Sequence, residues 1–168
     1  MFQLMNNEDF NTLVIQYEKQ IFNHIRRIVG NNEDAEDCLQ ETFIKTYNNR
    51  QLLDRTKNIK NWLYRVATTT SIDFLRKRSR LKEILYDEDE TITEDITYSK
   101  EEEDVLRNDI ERALQNLPPL YRTILLLYYH EEFSYLDIAD ILKLPLNTVK
   151  THLRRAKIAL KEYLHNYE

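Results

Sequence analysis

Residues 134–164, SYLDIADILKLPLNTVKTHLRRAKIALKEYL, decide the fold. Ser134 has the side chain of an N-cap. Asp137 follows three residues later, in capping-box position, ahead of the apolar Ile138, Ala139, Ile141 and Leu142. Lys143–Pro145 read as a turn, and Asn147 as the N-cap of a last helix running to about Tyr163. In that helix Val149, Leu153, Ala156 and Leu160 recur at helical steps. Lys150, Arg154, Lys157 and Lys161 repeat the same steps one residue later, about 100° round the axis, with Thr151 and Arg155 beside them. One face can dock on the preceding helices while its neighbour presents cations and a hydroxyl. A helix, a tight turn and a basic helix make a helix-turn-helix, whose second helix enters the major groove of DNA. A membrane surface or an acidic partner is the other use of a basic amphipathic helix.

Upstream of this stretch, Ile110, Leu114 and Leu117 outline a short helix stopped by Pro118 and Pro119, and Tyr121–His130 a strongly apolar one. Nearer the N-terminus, Phe10, Leu13, Val14, Tyr17, Ile21, Ile25 and Ile28 mark an amphipathic helix that Gly30 with Asn31 and Asn32 terminates. A second helix is expected from about Asp34, with Ala35, Leu39, Thr42, Phe43 and Tyr47 inward and Asp37, Gln40, Glu41 and Lys45 outward. Asn48–Lys60 reads as a loop. A third helix is expected from about Asn61 to Arg80, with Leu63, Val66, Ala67, Thr70 and Phe74 inward. Trp62 and Tyr64, ahead of the basic Arg76–Arg80, are either core anchors or platforms for unpaired bases.

Charge divides the chain into three. Residues 1–80 are net +3, residues 81–111 net −10 and residues 112–168 net +2, within a total of −5 over 168 residues. Residues 85–104 combine high charge with little apolar periodicity, too little to offset the entropy of ordering, and read as a flexible linker. Two basic patches, Arg65–Arg80 and Lys143–Lys161, suggest a polyanion gripped at two places. The fold class expected is all-α: two small helical domains, 1–80 and 108–168, joined by an acidic linker, 81–107.

Composition excludes much else. A single glycine rules out Gly-rich phosphate loops and disfavours sheet-rich folds. Cys38 alone makes neither an internal disulfide nor a cysteine-based zinc cluster. The start lacks the pattern of a signal peptide, and the longest apolar run, Ile124–Tyr129, falls far short of a membrane span, so a cytoplasmic chain with no membrane insertion of its own is expected. His24, His130, His152 and His165 show no paired-ligand spacing, and no nucleophile motif appears, so neither metal, cofactor nor enzymatic activity is expected.

Three stretches, DAEDCLQETFIKTY (34–47), WLYRVATTTSIDFLRKR (62–78) and ALQNLPPLYRTILLLYYHEEFSYLDIADILKLPLNTVKTHLRRAKIALKEYL (113–164), resemble bacterial RNA polymerase sigma factors of the small extracytoplasmic-function (ECF) type. The resemblance implies that the first domain docks on the β′ clamp helices of core RNA polymerase through Asp34, Asp37, Gln40, Glu41 and Phe43. It implies that Arg55, Lys57, Asn61, Trp62, Arg65, Arg76 and Lys77 engage the melted minus-ten element of promoter DNA. It assigns Thr148, Lys150, Thr151, Arg154, Arg155 and Lys157 to the duplex minus-thirty-five element, and implies contact of the second domain with the β flap and an anti-sigma factor as a further partner. Lys143 and Asn147 stand where the family often has Gly, Thr68 and Thr69 where it often has Arg-Asn, and Asp137 where Glu is commoner. The competing reading is a helix-turn-helix regulator that is no polymerase subunit. A ligand- or phosphate-sensing N-terminal lobe would need strand-like alternation, which residues 1–80 lack.

Overall fold

The computed structural model describes residues 5–53, 58–85 and 102–165. Its elements are α1 (Asn7–Val29), α2 (Asn32–Asn48), α3 (Arg50–Leu53), α4 (Ile59–Leu85), α5 (Glu102–Asn116), α6 (Pro119–Leu125), α7 (Tyr135–Leu142) and α8 (Leu146–His165). Among the described residues there is no strand.

α1, α2 and α4 form a three-helix bundle that is the first lobe. Asn6 caps α1 with a full capping box. Gly30 closes it in the left-handed region at φ 98°, where its N–H donates to the Arg26 carbonyl. A Cβ there would meet the end of the Gln115 side chain at 2.9 Å, which can swing aside, so the positive φ is what disfavours larger residues. Asn31 caps α2, which therefore begins two residues before Asp34. The inward face of α2 is built on Ala35, Cys38, Thr42 and Thr46. Its two buried hydroxyls return to the Cys38 and Thr42 carbonyls at 2.7 Å, so a polar pair enters the core fully satisfied. The stretch expected to be a loop, 48–60, carries the short α3, and Leu53 there is 1% exposed. One buried leucine holds the turn to the core, a signal too brief for periodicity to register.

α4 runs beyond Arg80 to Leu85 and α5 begins at Glu102, so helix extends into both ends of the stretch expected to be linker. The rest of that stretch, 86–101, lies outside the described residues. In the second lobe α8 packs on α5, α6 and α7. Pro118 and Pro119 open α6, where proline's missing N–H costs nothing. The expected helix at Tyr121–His130 does not stay α-helical: Leu126–His130 form a π-helical turn, in which the Glu131 N–H reaches the Leu126 carbonyl at 2.9 Å. Ser134 caps α7 as expected, accepting from the Asp137 N–H. Lys143 ends α7 at φ 53°, a left-handed conformation more easily taken by glycine. Asn147 is not the cap of α8: the helix starts at Leu146, with the Val149 N–H on the Pro145 carbonyl, and Asn147 lies within the first turn.

The lobes are packed against one another, and buried apolar residues from Leu13 to Ala156 form one continuous cluster. The seam joins α4 to α7 and α6, and α1 to α6. Near its centre Tyr64, 1% exposed, sets its ring edge-on to Phe133 and His24, each 4.9 Å away between centroids. At one end the last carbonyls of α1, which have no intrahelical partner, are taken by the second lobe: Gln115 Nε2 donates to the Arg27 carbonyl at 2.9 Å, and Arg122 donates to that of Ile28.

Candidate functional site

Helix α8 is the most exposed basic element. Val149, Leu153 and Ala156 are buried on one side. Lys150, Thr151, Arg154, Arg155 and Lys157 are all exposed, Thr148 is half-buried, and together they fan over about 180° of the helix. Thr151 returns its hydroxyl to the Asn147 carbonyl at 2.9 Å, leaving the oxygen's lone pairs outward. The fan has an aromatic shoulder that its own periodicity does not announce. Tyr128 stacks on Tyr135 at 5.1 Å, Lys150 Nζ lies 5.9 Å from the Tyr135 ring, and Lys157 Nζ 5.9 Å from that of Tyr129. The Tyr129 hydroxyl beside it pushes the Lys157 ammonium above its ordinary range.

The outer face of α2 brings Asp37, Gln40 and Glu41 to one exposed strip, with Ile44 60% exposed between them and the helix end. Beside the strip a shallow groove of about 490 Å³ runs between α1 and α2, lined by Glu18, Lys19, Phe22, Glu36, Leu39 and Gln40. An apolar floor with a polar rim suits a protein partner. Asp34 and Phe43 are not fully part of the strip. Asp34 accepts from Asn31 Nδ2 at 2.6 Å and pairs with Arg78 at 2.7 Å, which ties α2 to α4, and Phe43 is half-buried. Glu41 pairs with Lys45 at 2.7 Å across one helical turn.

The residues expected along α4 are divided. Arg55 and Lys57 lie outside the described residues. Arg76 and Lys77 are exposed near the far end, Arg76 3.7 Å from Asp73. Trp62 is half-buried against the core, an anchor with one side showing. Tyr64 is not displayed as a stacking platform: it is buried in the seam against His24 and Phe133. Asn61 and Arg65, one turn apart, face the second lobe. Asn61 Nδ2 donates to Asp137 Oδ1 at 2.8 Å, and Arg65 Nη2 pairs with Asp140 Oδ1 at 3.1 Å. Of the two threonines, Thr68 turns inward to the His24 ring at 2.9 Å and only Thr69 is exposed.

His24 and Glu131, which sequence reasoning did not single out, organise the seam. His24 is fully buried, and desolvation keeps its ring below its ordinary pKa although Glu131 opposes the shift. Its Nδ1 lies 3.6 Å from Glu131 Oε1. Burial alone would raise the Glu131 carboxyl; the His24 interaction and the Tyr64 hydroxyl, donating at 2.7 Å, overcome that and hold it below its ordinary value. The same contact and burial drive the Tyr64 phenol far upward, so that it stays a donor. Among the described residues no group of three or more His, Cys, Asp or Glu is placed to hold a metal, and no helix is long and apolar enough to cross a membrane.

A helical bundle joined to a helix-turn-helix with a cationic second helix has the architecture of a DNA-binding protein. Residues 13–81 match the family described as Sigma-70 region 2, and residues 107–160 that described as Sigma-70, region 4. The ECF RNA polymerase sigma factor SigW of Bacillus subtilis is 34% identical over 171 residues, covering 95% of this chain and 90% of that protein. SigV of the same organism is 34% identical over 146 residues, covering 86% and 84%. The sigma factor RpoE of Bartonella quintana, solved in complex with the anti-sigma factor NepR, aligns over 94% of this chain and 98% of that one at TM-score 0.72 and 22% identity. CnrH, solved with the cytosolic domain of CnrY, aligns over 97% and 92% at TM-score 0.70 and 19% identity. The chain belongs to the sigma-70 family, as an ECF RNA polymerase sigma factor. It is a regulatory protein that directs transcription with core RNA polymerase at promoter DNA.

Proposed function

We propose a division of labour along the chain. Asp37, Gln40, Glu41 and the exposed Ile44 seat the first lobe on the polymerase, with the neighbouring groove taking part of the same partner. The second lobe presents α8 to the duplex minus-thirty-five element: Lys150, Arg154 and Lys157 grip phosphates, and Thr151 and Arg155 stand where base edges are read. In the first lobe Asn61, Arg65, Arg76 and Lys77, with Trp62 and the flanking Arg55 and Lys57, hold the single strand of the minus-ten element. Binding an extruded base offsets the few kcal/mol of unstacking, so the strands part without a nucleotide-driven motor. The chain performs no chemistry itself; it targets an enzyme, in the cytoplasm. The likeness to RpoE, solved with the anti-sigma factor NepR, supports a partner of that kind here.

The observation that carries this reading is the α8 fan, in which every cation faces outward over a fully apolar inner stripe. The test is run-off transcription with purified core polymerase, with and without the chain, on a genomic fragment library. Discrete promoters used only in the presence of the chain support the reading. On those promoters Arg155→Ala is expected to lower initiation about 10- to 100-fold, the worth of a base-reading contact. Initiation equal with and without the chain would refute it.

A further inference from the structure

Lys150 and Lys157 stand seven residues apart on α8, which places them on one face, about 10.5 Å apart along the axis. Three tyrosines run beside that face. Tyr135, Tyr128 and Tyr129 follow one another at centroid steps of 5.1 Å and 4.9 Å, the first step stacked and the second edge-on. Each end of this row has a lysine over it: Lys150 Nζ lies 5.9 Å from the Tyr135 ring, and Lys157 Nζ 5.9 Å from that of Tyr129. The hydroxyls are engaged as well. Tyr128 and Tyr135 share a hydrogen bond, which raises the Tyr128 phenol, and the Lys157 ammonium donates to the Tyr129 oxygen. Tyr128 and Tyr135 are half-buried against the core and fix the row, while Tyr129 is 56% exposed. The row owes its place to the π-helical turn: Tyr128 and Tyr129 sit within it, out of the register that a continuous α-helix would give them.

We propose that this row of tyrosines positions Lys150 and Lys157 for the DNA backbone, and that Tyr129 is the residue through which Lys157 is set. A lysine carries its charge on a flexible four-carbon stem, and closing it on a phosphate costs rotamer freedom. A ring beside the ammonium removes part of that freedom before DNA arrives, so less is lost on binding. The bracing falls on the two lysines of the phosphate-facing row; Arg154, between them, has a planar fork that is pre-organised by its own chemistry. Tyr129 therefore acts through Lys157 and adds no phosphate contact of its own. The bracing rests on the row itself, and its use on DNA rests on the assignment of α8 to the duplex minus-thirty-five element.

Holoenzyme assembled from the full chain and core polymerase, titrated onto a labelled duplex spanning the minus-thirty-five element of a promoter it uses, tests this. Tyr129→Leu removes an exposed ring. It is expected to weaken binding about three- to fivefold, with the slope of log affinity against log salt unchanged. Lys157→Met should make that slope shallower by about 0.9, the worth of one phosphate. In the Lys157→Met background Tyr129→Leu should have no further effect. On the free chain, titration of the Lys157 ammonium followed by nuclear magnetic resonance should show its pKa fall toward the ordinary lysine value in Tyr129→Phe, which keeps the ring and loses the hydroxyl. A Tyr129→Leu variant that binds as the wild type does overturns the positioning. An equal loss with and without Lys157 overturns it too, since the ring would then meet the DNA itself. An unmoved titration overturns the bracing. Lys157→Met with unchanged affinity and slope rejects the use of Lys157 on DNA and so the assignment beneath the proposal, while the titration still decides the bracing.

Discussion

Arg122 is the residue whose loss should cost most. It is 5% exposed, and its guanidinium donates to the Leu114, Gln115, Leu117 and Ile28 carbonyls, at 2.8 Å, 2.7 Å and 3.1 Å for the first three. Three of these carbonyls close the end of α5 and the turn after it; the fourth closes α1 across the seam. Burial pushes the guanidinium down from 12.5 to about 10, so holding its charge there costs roughly 3 kcal/mol. Four charge-assisted bonds at the low end of their range contribute about 6 kcal/mol. Arg122→Met keeps the apolar stem, recovers the cost of the charge and strands the carbonyls, for a net loss of about 3 kcal/mol. For a chain of this size that is a fall in melting temperature of about 6–12 °C, read by circular dichroism at 222 nm. Arg122→Lys, with one compact ammonium for carbonyls spread around a planar fork, should fall between. A methionine variant melting within about 2 °C of wild type would refute the reasoning, since it would mean that water satisfies these carbonyls as well as the guanidinium does.

Asp37→Ala with Gln40→Ala should weaken co-purification of core polymerase about tenfold while the helical signal is unchanged, because both side chains are exposed and neither braces the bundle. The seam should also confer a pH dependence of stability. His24 is depressed in the folded chain, so the unfolded chain binds its proton first, and stability falls as pH drops below about 6.5. Glu131 is also depressed, so its contribution is lost as pH falls below about 4.5. Arg27 and His130, the other groups acting on this pair, oppose protonation of His24. In urea titrations at several pH values His24→Gln should flatten the upper part of this slope and, by removing the partner that lowers the Glu131 carboxyl most, make the lower part shallower as well; an unaltered profile would remove His24 from the account.

What the sequence makes legible is whatever repeats at helical spacing or caps a helix. The α8 stripe, Gly30 at the end of α1, and Ser134 before α7 each follow from a rule that involves only near neighbours in the chain. The misses are of another kind. Asn147 has the chemistry of a cap, but Pro145 in front of it offers its carbonyl to Val149 and lets the helix start earlier. Tyr64 is amphipathic, as suited to stacking a base as to filling a core, and only the approach of Phe133, 69 positions away, decides between them. Asn61 and Arg65 likewise carry donors that fit a phosphate, a base or a carboxylate equally well. The likeness to a family supplied a role for them on DNA. It could not indicate that Asp137 and Asp140 stand opposite, because 76 and 75 positions separate the partners and no local pattern links them.

The two basic patches thus differ in a way that charge counting hides. Between Lys143 and Lys161 there are six cations and no acid, and those on α8 face outward, so the field of that patch extends into solvent and can steer the chain toward DNA. In the other patch Arg65 is paired with Asp140, Arg78 with Asp34, and Arg76 lies near Asp73. These three cations have carboxylate partners within the chain, and at Arg65 the partner comes from the other lobe. A surface neutralised by its own chain contributes little at a distance. Long-range attraction therefore belongs to α8. That suits a protein that must find duplex DNA before any strand has been opened.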